Sequence, residues 1–405
     1  IRVGKIGNIN TKVDSHVFAK VIYPLSYFYS MDKNAVKIGR VFGIKILLHY
    51  TWFIIFVLLA WSLASGYFPS ALPGKTTLVY WLMGGFAALL LFASVLLHEL
   101  SHSFMALKNK IKVNSITLFF FGGVAQINEE GFTAKKELIV SIAGPIMSIS
   151  LAAIFYLASH YSAAYLSIVF GYLAKVNFML GVFNLVPGFP LDGGRVLRAI
   201  LWKKWGDLNR ATYVASEAGK IFAIFLIITG VLGLVFGRVD IWYILLGLFL
   251  YSLAKNSYKQ TIIQGVLKDA AVKDYMQKQY KALDSSMPLS QFDFKKLMAY
   301  DQWVYPILSN KKVVGIALQQ QIEKRKAVDG TRKMLEVTIP LNKIKSVAPE
   351  DTCIKAYELM IAQNLELLPV ISKGKLTGVI KASTINELFN MAAVKAEAER
   401  KALKQ

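Results

Sequence analysis

Six apolar stretches constrain this chain more than any other feature: Ile46 to Ser65, Leu78 to Leu97, Leu138 to Ala158, Tyr165 to Val186, Ile221 to Phe236 and Ile241 to Ala254. A helix that crosses the hydrocarbon core of a bilayer needs about 20 such residues. The first four approach that length, while the last two either extend into their flanks or pair as one helical hairpin. Lipid offers no partner to an unpaired peptide group, so runs of this kind must close their hydrogen bonds internally, as helices do. The expectation is an α-helical polytopic membrane protein of about six transmembrane helices.

Composition sharpens that choice. The 405 residues carry a formal net charge of +22, yet 55% of them are hydrophobic. A soluble nucleic-acid binder would account for the charge and not for the apolar share. A membrane protein accounts for both, so the expected partner is a lipid bilayer and no nucleic acid. Lys and Arg mark the cytoplasmic ends of short loops. They cluster before the first stretch, around Lys108 to Lys112 with Lys135 and Lys136, and again from Arg195 to Arg210, whereas Lys75 and Arg238 stand alone in the alternate loops. Both termini are therefore expected in the cytoplasm of a prokaryotic cell, with the protein multi-pass in the cell membrane. Residues 1–40 form an N-terminal cytoplasmic segment, of which 1–30 read either as translated chain or as an upstream artefact, since Met31 would be a sensible initiator.

Residues 41–254 form the membrane core, 255–269 a basic linker, 270–388 a soluble α/β part and 389–405 a charged tail. The soluble part contains a weak internal repeat, QWVYPILSNKKVVGIAL from Gln302 and LELLPVISKGKLTGVIK from Leu365, each reading as strand, polar turn and strand. The lone cysteine, Cys353, excludes an internal disulfide framework and a Cys-rich metal site.

Chemistry is concentrated at LLHELSH, which ends the second stretch. His98 and His102 are four residues apart, so both imidazoles lie on one helix face and can bind a single Zn²⁺, with Glu99 beside them as general base. The competing reading is an interfacial helix end whose polar residues simply touch water. Ionisable groups within an apolar helix are costly, however, and call for a metal or a partner. Asp192 lies in FNLVPGFPLDGGR after the fourth stretch, where Pro187 and Pro190 stop helical hydrogen bonding. Taken alone, Asp192 reads equally well as a third ligand or as the cap of a following helix.

The two segments together resemble the site-2 protease family of intramembrane zinc metalloproteases, peptidase family M50, whose motifs HExxH and NxxPxxxLDG are both present here. The resemblance implies that His98, His102 and Asp192 bind one zinc ion per chain, that Glu99 is the catalytic base, and that Asn184 lies near the scissile carbonyl. It further implies hydrolysis of peptide bonds in transmembrane substrates, as in regulated intramembrane proteolysis. Zinc so held leaves a position open for water. Glu99 would take that water's proton and pass it to the leaving amine, with Asn184 assisting at the oxyanion.

A substrate helix hides its carbonyls and must unwind before attack. Between the second and third stretches, ITLFFFGGVAQI is too short to span as a helix and resembles the family's membrane-associated β-hairpin, with Gly122 and Gly123 at its turn and as candidate substrate-binding residues. An exposed strand edge there could receive an unwound membrane-embedded protein substrate as an added strand. A plain interfacial loop is the alternative. Ala143, Gly144 and Pro145 are accounted for by helix packing. Lys175 either neutralises a carboxylate or snorkels outward, and the isolated His16, His49 and His160 read as structural or solvated.

The repeats resemble a CBS domain pair. Such pairs commonly bind adenine nucleotides and associate, which implies a homodimer through the pair. The positions that would carry the hydroxyl and the ribose-binding carboxylate hold Leu318 and Gln321 in the first unit and Lys381 and Thr384 in the second. The carboxylate is thus missing twice although Lys381 could contact a phosphate, and an adenine-nucleotide site and a docking or dimerisation module stand as equal readings. A CBS-regulated membrane transporter or channel is the rival function, and it would require neither the HExxH spacing nor a general base.

Overall fold

The computed structural model describes residues 35–120, 122–127, 131–237, 241–297, 302–310, 312–363, 365–373 and 375–402. The expectations for residues 1–30, His16 and Arg238 lie outside them. The chain divides into two compact units, one ending at Thr261 and the other running from Ile262 to Ala402.

The first unit opens with a hairpin that was not foreseen, β1 (Ala35–Val41) and β2 (Ile44–His49). Phe42 and Gly43 both take positive φ at its turn, the backbone that a two-residue hairpin demands. Ile46 to His49 thus belong to a strand, and the first apolar helix, α1, begins at Thr51 and runs to Ala71. It is followed by α2 (Thr77–Lys108), β3 (Val113–Phe119), β4 (Gly122–Ile127), α3 (Ala134–Tyr161) and α4 (Ala164–Asn184). Then come α5 (Asp192–Trp205), α6 (Leu208–Val235) and α7 (Ile241–Asp269).

Among the described residues, five helices are long and apolar enough to cross a membrane: α1, α2, α3, α4 and α6. The sixth expected span falls within α7, whose apolar run stops at Ala254 before Lys255 and Asn256. Residues 255–269, read from the sequence as a linker, continue α7 as helix. Large apolar side chains such as Phe53, Leu82, Ile146 and Leu157 are exposed on these helices, an outward apolar surface suited to lipid.

The four strands form one sheet in the order β1-β2-β3-β4. β2 pairs with β3 in parallel through Ile46 and Ile116, and β3 pairs with β4 antiparallel through Thr117 and Val124. The expected hairpin at 116–127 is therefore present, but Gly122 and Gly123, expected at its turn, belong to β4 and pair with Phe119 and Leu118; β4 is an edge strand. Ile44, Ile46, Leu100 and Ile116 form the buried cluster that seats this sheet on α2, the helix that carries HELSH. Burying those four side chains contributes on the order of 1.5–3 kcal/mol each.

The second unit repeats a hairpin followed by a helix. β6 (Val304–Ser309) and β7 (Lys312–Leu318) lead into α8 (Gln319–Val328) within a four-stranded sheet completed by the short β5 (Leu283–Asp284) and β8 (Ile339–Pro340). β9 (Leu367–Ser372) and β10 (Lys375–Lys381) lead into α10 (Ala382–Ala402), with α9 (Cys353–Gln363) before them. α10 differs from the charged tail expected after residue 388, because Phe389, Ala392 and Ala396 are buried and the Phe389 ring meets Tyr357 edge-on.

Candidate metal centre

α2 extends well beyond the hydrophobic thickness of a bilayer, and its last turns carry His98, Glu99 and His102. The two imidazoles are 5% and 6% exposed and lie on one face, as their spacing requires. Asp192 reaches them as the first residue of α5. His98 Nε2, His102 Nε2 and Asp192 Oδ2 form a triangle with all three sides at 3.2 Å. A tetrahedral zinc with ligand bonds of about 2.0 Å has ligand–ligand edges of about 3.3 Å. The triangle therefore matches one face of such a site, and among the described residues these three form the only group of at least three His, Cys, Asp or Glu close enough to share an ion.

The rest of each ring is fixed from behind. His102 Nδ1 donates to the Val140 carbonyl at 2.7 Å, so in the neutral ring Nε2 carries no proton and presents its lone pair to the triangle. His98 Nδ1 pairs with the buried Ser148 hydroxyl at 2.8 Å. Both partners belong to α3, and Gly144 lies between them in sequence on the same helix. A Cβ on Gly144 would collide with His98 Nε2 and His102 Nε2, so glycine keeps the ligand face clear. The sequence had offered only packing for Gly144.

Asp192 is placed by a loop pressed against α6. Phe189 N donates to the Ala215 carbonyl at 3.0 Å, and a Cβ on Gly219 would strike the Phe189 backbone. Close approach is also why α5 opens with Gly193 and Gly194, where side chains would run into residues 185–189 of the same loop. α5 ends where Gly206 takes a left-handed conformation. Asp207 then caps α6 by accepting from Arg210 N at 3.0 Å.

Two further residues belong to the surroundings and gave no signal in the sequence. Glu137, in the first turn of α3 and 1% exposed, accepts from both Nε and Nη2 of Arg198 on α5. Arg195 Nε lies 4.0 Å from the same carboxylate oxygen, and the Arg198 guanidinium sits over the Phe189 ring.

Glu99 is half-buried beside the triangle, and β4 comes so near that a Cβ on Gly123 would lie 2.5 Å from Glu99 Cγ. Gly123 is thus close to the site, and its neighbour Gly122, where a Cβ would meet nothing, takes a positive φ at the start of β4. Asn184 is the last residue of α4, half-buried, and makes no hydrogen bond to His98, Glu99, His102 or Asp192. Lys175 is exposed, which agrees with an outward side chain. His49 is buried and pairs with Thr51, and His160 pairs with the Tyr156 carbonyl, so neither enters the site.

A buried His-x-x-x-His pair closed by a distant aspartate, with a glutamate between the histidines and apolar helices around it, defines a membrane-embedded HExxH metallopeptidase. The sequence model of Peptidase family M50 matches residues 86–165 and 159–227, and that of the CBS domain matches residues 336–389. A zinc metalloprotease of Methanocaldococcus jannaschii is 31% identical over 370 residues, which cover 90% of this chain and 98% of that one. Rip3 of Mycobacterium tuberculosis is 30% identical over 369 residues, covering 89% and 94%. Among solved structures, the site-2 protease from Methanocaldococcus jannaschii is 32% identical, with a TM-score of 0.40 over 55% of this chain and 95% of that one. The chain belongs to the M50, site-2 protease family: it is an intramembrane zinc metalloendopeptidase with a C-terminal CBS domain. The transporter reading is not favoured.

Proposed function

We propose that His98, His102 and Asp192 hold the family's zinc, that Glu99 is the general base, and that the enzyme cuts single-span membrane proteins near the cytoplasmic side to release a regulatory fragment. The observation that carries the reading is the 3.2 Å triangle of two imidazole nitrogens and one carboxylate oxygen, with Glu99 adjacent on the same helix. Zinc bound there supplies Lewis acidity toward a water and a peptide carbonyl.

The remaining work falls to the chain. Glu99 accepts a proton from the attacking water and returns it to the leaving amine, a role worth about 10²–10⁴-fold in rate. Val140 and Ser148 hold the two rings at fixed tilt, so that little reorganisation is needed at the moment of attack. Asn184, ending α4 just before the loop that carries Asp192, is the candidate donor to the developing oxyanion. β4 supplies an edge strand whose Gly123 approaches Glu99. An unwound substrate segment added to that edge would satisfy its main-chain groups and lie next to the base. Gly123 then matters for binding because a side chain there would intrude on Glu99, and Gly122 because its positive φ suits glycine at the start of the edge strand.

Both termini and the CBS units are assigned to the cytoplasm from the distribution of Lys and Arg, in the cell membrane of a prokaryote. The CBS units act as a docking or dimerising module, and the proposed domains at 41–254 and 270–388 are extended by the end of α7 and by α10, whose Leu267 and Phe389 join the second unit's core. The test compares purified wild type with Glu99→Gln, measuring zinc content and cleavage of an unwinding-prone transmembrane peptide with and without chelator. The variant should retain zinc and lose at least 10²-fold in cleavage rate. Equal cleavage by both proteins would remove Glu99 from the mechanism.

A further inference from the structure

The site is organised from one stripe of α3. Glu137, Val140, Gly144 and Ser148 follow one another at spacings of three, four and four residues, which places them on one face of the helix. Val140 holds His102, Ser148 holds His98, and Gly144 leaves room for both. The two histidines are thus positioned by α3, yet Asp192 arrives from a separate helix, 90 residues beyond His102. Something must fix α5 to the same stripe.

The structure assigns that task to the Glu137–Arg198 pair: we propose that Arg198, helped by Arg195, is a positioning residue that locks α5 onto α3 and so sets Asp192 in its place as third ligand. Arg198 makes its polar contacts to Glu137 and none to His98, His102 or Asp192. Its fork grips a single Glu137 oxygen through Nε and Nη2 in a pocket where the carboxylate is 1% exposed. On its other side the guanidinium covers the Phe189 ring at 5.0 Å from the centroid, which ties it to the loop that delivers Asp192. Lysine cannot reproduce this arrangement, because an ammonium lacks the planar fork and stacks poorly. The pair therefore sets a ligand's position in the same way as groups that hydrogen-bond metal-bound side chains, whose loss typically weakens metal affinity 10–100-fold.

The inference rests on Asp192 being a ligand, so the experiment separates the two. Full-length wild type, Arg198→Met, Arg198→Lys, Asp192→Ala and Leu173→Ala are purified in detergent. Zinc affinity is read by competition with a chromogenic chelator, the cobalt-loaded visible spectrum reports ligand geometry, and melting in chelator reports folding. Leu173 is fully buried on α4 against Phe68 and α2, away from the stripe, so its variant measures the effect of lost stability alone. Arg198→Met should weaken zinc binding 10–100-fold and alter the cobalt spectrum, with partial recovery in Arg198→Lys and wild-type affinity in Leu173→Ala. If Arg198→Met does not fold, Arg198→Lys carries the comparison, since it leaves a cation beside Glu137. Wild-type affinity and spectrum in the folded Arg198 variants, or equal weakening in Leu173→Ala, would overturn the positioning role. Undiminished zinc binding by Asp192→Ala would instead remove the ligand assignment on which the inference stands.

Discussion

Replacing Gly144 with alanine adds one methyl group where α3 meets both histidines, and helix formation and metal binding should respond with opposite sign. Within the helix the exchange gains about 1 kcal/mol, because alanine loses less backbone freedom on folding than glycine. At the site the added Cβ would lie 2.5 Å from His98 Nε2 and nearer still to His102 Nε2, whereas ordinary van der Waals contact begins at 3.4 Å. His98 Nε2 must therefore retreat by about 0.9 Å, and His102 Nε2 further, while credible zinc sites keep their ligand distances within about 0.2 Å. Each ring can swing aside only by weakening its bond to Ser148 or Val140, a cost of about 0.5–1.5 kcal/mol per bond.

Zinc affinity should accordingly fall by at least the 10–100-fold expected when supporting groups are lost, and cleavage should fall with it. The chelated protein should be harmed less, because the helix gain of about 1 kcal/mol offsets part of the strain in the site. The assay is competition against a chromogenic chelator for the metal and circular dichroism melting in chelator for the fold. A Gly144→Ala protein that binds zinc as tightly as wild type would refute the reasoning, since the methyl group would then have found space that the geometry denies it.

Two further outcomes are expected in the second unit. Burial, with a smaller contribution from the Asp274 charge, pushes the Cys353 thiol up to about 11 from an ordinary value of 9.0. At pH 8 its thiolate fraction is then about a hundredfold lower than that of an ordinary thiol, so alkylation should be slow in the native protein and fast after unfolding; rapid native labelling would contradict its burial. ATP, ADP and AMP at millimolar concentration should produce no saturable heat in calorimetric titration of the full chain, because Gln321 and Thr384 stand where the ribose carboxylate is expected; a saturable isotherm would show that the units bind nucleotide by other groups.

The membrane helices were legible because their signal is local: an uninterrupted apolar run declares a helix whatever surrounds it. α3 and α4 fall close to the expected limits, while α2 starts as expected but continues past Leu97 to Lys108 and so carries HELSH within the helix. The misreadings occur where the same apolar residues serve another element. Ile46, Leu47 and Leu48 look like the start of a span, but they are buried strand residues of β2, completed by pairing with β3 some 70 residues on. A parallel pairing of that separation leaves no trace in a window of sequence. The amphipathic part of α7 reads as a linker in sequence because its charges break the apolar run without breaking the helix.

At the site, what could be read were residues whose chemistry is tied to fixed spacing. The four-residue interval of His98 and His102 places them together on any helix, and the glycines after Asp192 announce an unusual backbone. Ser148 and Val140 could not be found in this way, since one is a serine in an apolar helix and the other acts through its carbonyl. Glu137 and Arg198 are separated by 61 residues, and each alone resembles a charge at a membrane edge. Their burial is what distinguishes them: removing one member of such a pair leaves an uncompensated charge at a cost of about 3–5 kcal/mol, far above the 0–1 kcal/mol of a surface pair. A sequence displays the groups that touch the metal because their spacing is constrained. The groups that aim them answer to tertiary position alone, and here that position is one face of α3.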